Sequence, residues 1–138
     1  MMTGIRAQSS ELSPAPRKNG ASGRHSYRDL LVWQRSIQLS VAIYRFTADF
    51  PNAELYGLTA QLRRAAVSVA SNIAEGYGRA TKGEFRQFVG IARGSILEVQ
   101  TQLEIAKQLG FGKETQRRAA DALAEETGKM TWALLQKL

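Results

Sequence analysis

At 138 residues and 15.2 kDa the chain has the size of one domain, and its 43% apolar and 22% charged residues are ordinary globular values. With no cysteine and a single histidine, His25, it offers no disulfide framework, thiol nucleophile, thiolate metal site or pair of imidazole ligands. That excludes the di-iron carboxylate bundle, which draws Glu-x-x-His from two helices, and leaves acid–base chemistry to carboxylates. We therefore expect no enzyme, no metal and no cofactor. No stretch approaches the roughly 18 apolar residues of a membrane span, so the expected setting is soluble and cytoplasmic, with no membrane partner.

The net charge is +7, from 19 basic and 12 acidic residues. The first 28 residues carry Arg6, Arg17, Lys18, Arg24 and Arg28 against Glu11, a net +4, so the remainder is only mildly basic. Residues 1–25 are also rich in Ser, Pro and Gly and poor in apolar groups, a composition that cannot offset the entropy of ordering. They are expected to form a disordered basic tail ahead of one domain over 26–138. A solvated spacer or start-site artefact, a nucleic-acid-touching arm and an Arg- and Ser-rich transit peptide all fit that composition.

From Asp29 onward the apolar spacing is helical. Leu30, Trp33, Ile37, Val41 and Tyr44 recur at spacings of 3, 4, 4 and 3, and this stripe is expected to face the core. Phe50-Pro51-Asn52 breaks the pattern, with Asn52 positioned to cap the second helix. That second segment carries Leu55, Leu58, Leu62, Ala66, Val69 and Ile73 on one face and ends at Gly76-Tyr77-Gly78. Thr81 with Glu84 has the spacing of a capping box for the third segment. Its core face reads Phe85, Phe88, Ala92, Ile96, Val99, Leu103 and Ala106, and Gly110 and Gly112 stop it. The fourth repeats the pattern in Ala120, Leu123, Thr127, Met130, Leu134 and Leu138. Gly128 inside it costs about 1 kcal/mol relative to Ala, making this helix the least secure. Four helices with short connections predict an all-α, up-down-up-down antiparallel four-helix bundle.

Two helices have more to bury than one bundle needs. Val32, Leu39, Ile43, Phe46 and Phe50 form a second apolar stripe on the first helix, and Gly90, Gly94, Leu97, Thr101 and Ile105 lie opposite the core face of the third. Either the fourth helix wraps to cover one of them, or both are oligomer interfaces; the extent of apolar surface favours self-association. The second helix carries Gln61, Arg64, Ser68, Ser71 and Glu75 as a polar strip, which is a solvated face or the lining of a polar site. Asn72, Glu75 and Gly76 are read as structural: a carboxylate at a helix C-terminus opposes the dipole and calls for a cation, Arg64 or Arg79.

Several dense motifs resemble a known family. Tyr27-x-Asp29-Leu30-x-Val32-Trp33-Gln34, Phe50-Pro51-x-x-Glu54-x-Tyr56-Gly57-Leu58, Gln61-x-Arg63-Arg64-Ala65-Ala66, Ser68-Val69-x-Ser71-Asn72-Ile73-Ala74-Glu75-Gly76, Gly94-Ser95-x-x-Glu98 and Leu109-Gly110-Phe111 are similar to those of the bacterial four-helix-bundle proteins first noted in intervening sequences of large-subunit ribosomal RNA genes. The resemblance covers roughly residues 26–112. It implies a homopentameric ring and no catalytic residues. A more distant relative, the accessory protein of diversity-generating retroelements, implies a basic pentamer that partners a reverse transcriptase and binds nucleic acid.

Between residues 61 and 93 stand Arg63, Arg64, Arg79, Lys82, Arg86 and Arg93 against Glu75 and Glu84, a local +4 that an oligomer would multiply. The leading functional expectation is weakly specific binding of RNA or DNA through these residues. The alternative is a protein scaffold, such as an accessory subunit docking a reverse transcriptase. Gly76-Tyr77-Gly78-Arg79 is too slight to be a phosphate loop, and the serines of the folded part have no histidine to activate them.

Overall fold

The computed structural model describes residues 26–138, so the tail expected over 1–25 lies outside the described residues. Four α-helices account for most of the rest: α1 (Leu31–Thr47), α2 (Leu58–Tyr77), α3 (Lys82–Leu109) and α4 (Glu114–Lys137), with no strand among the described residues. α1 packs on α2 and α4, α3 packs on the same two, and the diagonal pairs do not meet. This is the expected up-down-up-down bundle.

Local chemistry explains where the helices begin and end. Ser26 and Asp29 form a reciprocal cap, Ser26 Oγ accepting from Arg28 N at 3.1 Å and Asp29 Oδ2 from Ser26 N at 3.4 Å, ahead of a short 3-10 turn over Tyr27–Asp29. Thr81 Oγ1 accepts from Glu84 N at 3.1 Å and starts α3 where its sequence predicts, forming the Thr half of the expected capping box. Gly110 then ends α3 in the left-handed region (φ 73°), with Phe111 N donating to Ala106 O at 3.0 Å. The Asn52 cap does not form; a 3-10 turn over Asn52–Glu54 intervenes, and Glu54 Oε1 accepts from Leu58 N at 3.2 Å instead. Leu55 consequently lies ahead of α2 and is half exposed rather than in the core. α4 runs unbroken through Gly128.

The core is built from Leu39, Ile43, Leu62, Val69, Ile73, Ile96, Val99, Leu103 and Leu134. Here Leu30 is core and Trp33 packs against it as expected, but further along α1 the two stripes exchange roles. Val32, Leu39, Ile43 and Phe46 have no exposed surface, whereas Ile37, Val41 and Tyr44 are 38%, 43% and 45% exposed. The assignment of Val32, Leu39, Ile43 and Phe46 to an oligomer interface is therefore corrected: they are intrachain core. Ser36 and Thr47 complete the buried row because their hydroxyls donate to Val32 O and Ile43 O, each at 2.7 Å, and so need no outside partner. Phe46 meets Phe50 edge-to-face and Phe50 meets Phe111 at a tilt, with centroid separations of 5.0 and 5.5 Å, against the α3–α4 turn. A Cβ on Gly112 (φ 76°) would come within 2.5 Å of the Phe46 ring.

Gly76 is not a helix stop but a buried residue just inside the end of α2, where a Cβ would lie 2.5 Å from Phe88 Cβ on α3. A Cβ at Gly128 would meet Ile96 Cγ2 at an ordinary 3.7 Å. The two alanine substitutions should thus have opposite signs. Gly76→Ala is expected to destabilise by about 1–3 kcal/mol through overpacking, and Gly128→Ala to stabilise by about 0.5–1 kcal/mol through helix propensity. Urea unfolding midpoints of both variants check this.

Candidate functional site

The charges of α4 mostly neutralise one another: Glu114 pairs with Arg118 at 2.7 Å, Asp121 with Arg117 at 3.5 Å and Glu125 with Lys129 at 3.8 Å. Arg35 of α1 reaches across to Glu126 of α4 at 2.8 Å, an ion pair that no local spacing announces. By contrast Arg64, Lys82 and Arg86 are exposed and carry no ion pair among the described residues. The cations left without an ion pair therefore include three groups on α2 and α3.

The six basic residues singled out from the sequence do not form one cluster. Arg79, Lys82 and Arg86 gather where α2 turns into α3; Arg79 lies over the Phe88 ring at 4.9 Å and pairs with Glu75 at 3.4 Å. That supplies the cation expected for Glu75. Arg64 stands thirteen residues before the end of α2, about 20 Å away at 1.5 Å per residue. Arg63 is engaged within the chain: its Nε donates to Thr47 Oγ1 at 2.8 Å and its guanidinium lies 4.5 Å over the Tyr44 ring. Arg93 turns toward α4, where it lies over Trp132 at 4.9 Å.

Between α2 and α3 runs a polar seam. Ser68 Oγ and Ser95 Oγ are 3.0 Å apart, and Asn72 Nδ2 donates to Ser68 O at 2.8 Å and to Ser68 Oγ at 2.9 Å. Asn72 thus fixes Ser68 within α2. Next to this seam opens a groove of about 300 Å³ lined by Gln61, Arg64, Ala65, Ser68, Glu98 and Gln102. The polar strip of α2 supplied one wall of it; the α3 wall was not legible, since nothing in the spacing of α3 sets Glu98 and Gln102 opposite that strip.

Two apolar faces remain outside the core. Gly90, Gly94, Leu97, Thr101 and Ile105 all lie on the exposed side of α3, with open space where a Cβ of either glycine would be. On the other side Ile37, Val41 and Tyr44 of α1 continue into Leu55, Tyr56 and Val67, and Tyr56 is 92% exposed.

A family model described as 23S rRNA-intervening sequence protein matches residues 28–133, which take in all four helices except the end of α4. The chain belongs to the 23S rRNA-intervening sequence protein family. Among solved structures, the fold is similar to a protein with unknown function from the S23 ribosomal protein family of Bacteroides thetaiotaomicron, at 19% identity and a TM-score of 0.68 over 76% of this chain and 98% of that one. No curated protein matches. Membership agrees with the resemblance carried by the α1, α2 and α3 motifs, and the structure gives several of their residues physical tasks: Gly76 admits Phe88, Asn72 and Ser95 hold Ser68, and Glu54 caps α2. No described helix is long and apolar enough to cross a membrane.

The exchange of stripes on α1 is directly testable. Ile43→Glu puts a charge where there is no exposed surface and should cost more than about 3 kcal/mol, whereas Val41→Glu, two residues away on the exposed face, should leave the thermal midpoint of an unassembled chain nearly unchanged. Circular-dichroism melts at high dilution distinguish them. Glu75→Gln, at an exposed pair, should shift stability by less than about 1 kcal/mol.

Proposed function

We propose that the protein is a non-enzymatic, homo-oligomeric four-helix bundle that binds RNA or DNA with little sequence preference. The observation that carries this reading is the exposure of Arg64, Lys82 and Arg86 on α2 and α3 without an ion pair among the described residues, beside an α4 whose ions mostly pair with each other. A phosphate backbone answers such a field without base reading, and each added subunit multiplies it. Arg79 is shared with Glu75, and Arg93 with Trp132, so both contribute less than an unpaired cation would.

Assembly is argued from the two apolar faces. They belong to different surfaces on diagonal helices, α1 and α3, so joining one to the other is a heterologous contact, and such contacts close into rings when the rotation permits. A homopentamer is the ring we propose, with Gly90, Gly94, Leu97, Thr101 and Ile105 of one copy meeting Ile37, Val41 and Tyr44 of the next. A second reading, a scaffold that docks another protein such as a reverse transcriptase, is favoured by the exposed Tyr56 beside Tyr44 and Arg63, the residue types that dominate protein interfaces.

Fluorescence anisotropy with labelled single- and double-stranded RNA and DNA tests the first reading, using the full chain and a chain starting at Ser26. Binding by both is expected, falling at least tenfold between about 50 and 200 mM salt through counterion release, and weakened by Arg79→Glu/Arg86→Glu. No binding by either chain at low salt overturns it in favour of the scaffold; loss on tail removal transfers the function to the arm. For assembly, light scattering should give a multiple of 15.2 kDa, with Gly94→Leu and Val41→Glu reducing it to the single-chain mass while helicity persists.

A further inference from the structure

The groove between α2 and α3 sets Arg64, one of the three unpaired cations, beside groups that phosphate binding leaves unused. Arg64 and Glu98 both line it, yet they form no ion pair with each other, and no hydrogen bond or ion pair engages either one among the described residues. Gln102 also lines the groove, with its Oε1 closed off from solvent and without a hydrogen-bond partner. The side nearest the bundle core is fixed, because Asn72 and Ser95 hold the Ser68 hydroxyl between them.

Helix geometry aligns these groups. With α2 and α3 antiparallel and Ser68 opposite Ser95, Arg64, one turn earlier on α2, comes level with the stretch of α3 between Glu98 and Gln102. A guanidinium from α2 and a carboxylate from α3 therefore line the same groove. A ligand that satisfies both presents adjacent acceptors at one end and adjacent N–H donors at the other.

We infer that this groove is a binding site for a guanine base. Guanine carries N7 and O6, which take two hydrogen bonds from an arginine, next to N1–H and the N2 amino group, which give two parallel bonds to a carboxylate. The other bases fail on the carboxylate side: adenine and cytosine set a ring-nitrogen lone pair against Glu98, and uracil has one N–H flanked by two carbonyls. In a duplex the N1 and N2 edge is occupied by pairing, so the site takes free guanine nucleotides or guanine in a single strand. The inference rests on the proposed nucleic-acid binding for the source of the base, not for the chemistry of the groove. Where both hold, phosphate contacts supply affinity and the groove adds a preference for single-stranded guanine.

The test titrates the full chain with GMP, IMP and AMP by calorimetry and by amide chemical shifts. All three nucleotides share the phosphate, and IMP differs from GMP only in lacking the N2 amino group. GMP is expected to bind at least tenfold more tightly than IMP or AMP, to move the Ser68, Ser95 and Gln102 amides, and to lose its advantage in Glu98→Gln, an exposed substitution that leaves the core intact. In a second arm, a uridine-rich single-stranded octamer with one guanosine is compared with the same octamer carrying inosine; discrimination there with none among mononucleotides identifies the strand as the source of the base. Equal affinities in both arms, or a guanine preference that survives Glu98→Gln, overturn the inference while leaving phosphate binding untouched. A guanine preference in GMP alongside failure of all polymers to bind would overturn the nucleic-acid reading and leave this one.

Discussion

The close approach of α2 to α3 is the constraint on which the rest of the bundle is arranged. A glycine at residue 76 lets the α3 backbone near Phe88 come within a distance that any side chain would forbid, and about two turns further along the hydroxyls of Ser68 and Ser95 meet without an intervening apolar layer. Small residues at this seam leave little apolar side-chain volume there, so the core is filled largely by leucine, isoleucine, valine and phenylalanine converging from all four helices. The same closeness puts Arg64 of one helix across a narrow groove from Glu98 and Gln102 of the other. Packing and binding chemistry thus share one pair of helices, and α1 and α4 serve to cover its apolar side.

Much of this was legible in the chain, and the parts that were not have physical causes. Helix number, order and most ends were set by 3.6-residue spacing, Thr81, Gly110 and the Phe50-Pro51 break. The face of α1 was not, because two apolar stripes on one helix have the same period and periodicity carries no sign. Ser36 and Thr47 obscured the choice further by sitting in the buried row, where each satisfies itself on its own helix. Gly112 held the missing information: lacking a Cβ, it receives Phe46, which belongs to the inward stripe. On α3 there was no such ambiguity, since Gly90, Gly94 and Thr101 make a poor core, and the exposed face is the one the spacing predicts.

The candidate site divides along similar lines. Residue type identified the basic stretch from Arg63 to Arg93, but charge does not reveal whether a cation is already engaged. Arg63 and Thr47, Arg93 and Trp132, and Arg35 and Glu126 meet across helices, so only three-dimensional proximity separates the committed arginines from the free ones. Glu98 stood out in the chain only as part of a motif because its significance lies in what stands opposite it. A polar residue on one helix acquires a chemical role when a second helix brings it a counterpart, and pairing between helices is the information that a one-dimensional pattern lacks most.

The turn between α3 and α4 also bears on how the chain reaches this state. α2 and α3 form a hairpin whose contacts are local, while the Arg35–Glu126 pair joins residues 91 apart and the Phe46, Phe50 and Phe111 cluster spans most of the same interval. Loop closure costs more for these long-range contacts than for the hairpin, and contacts of that kind slow folding. Pairs of neighbouring helices, such as α2 and α3 joined at Ser68 and Ser95, need far shorter loops. α1 and α4 meet only through such long-range contacts, and Gly112 leaves the space that the aromatic ring of Phe46 fills where the bundle closes.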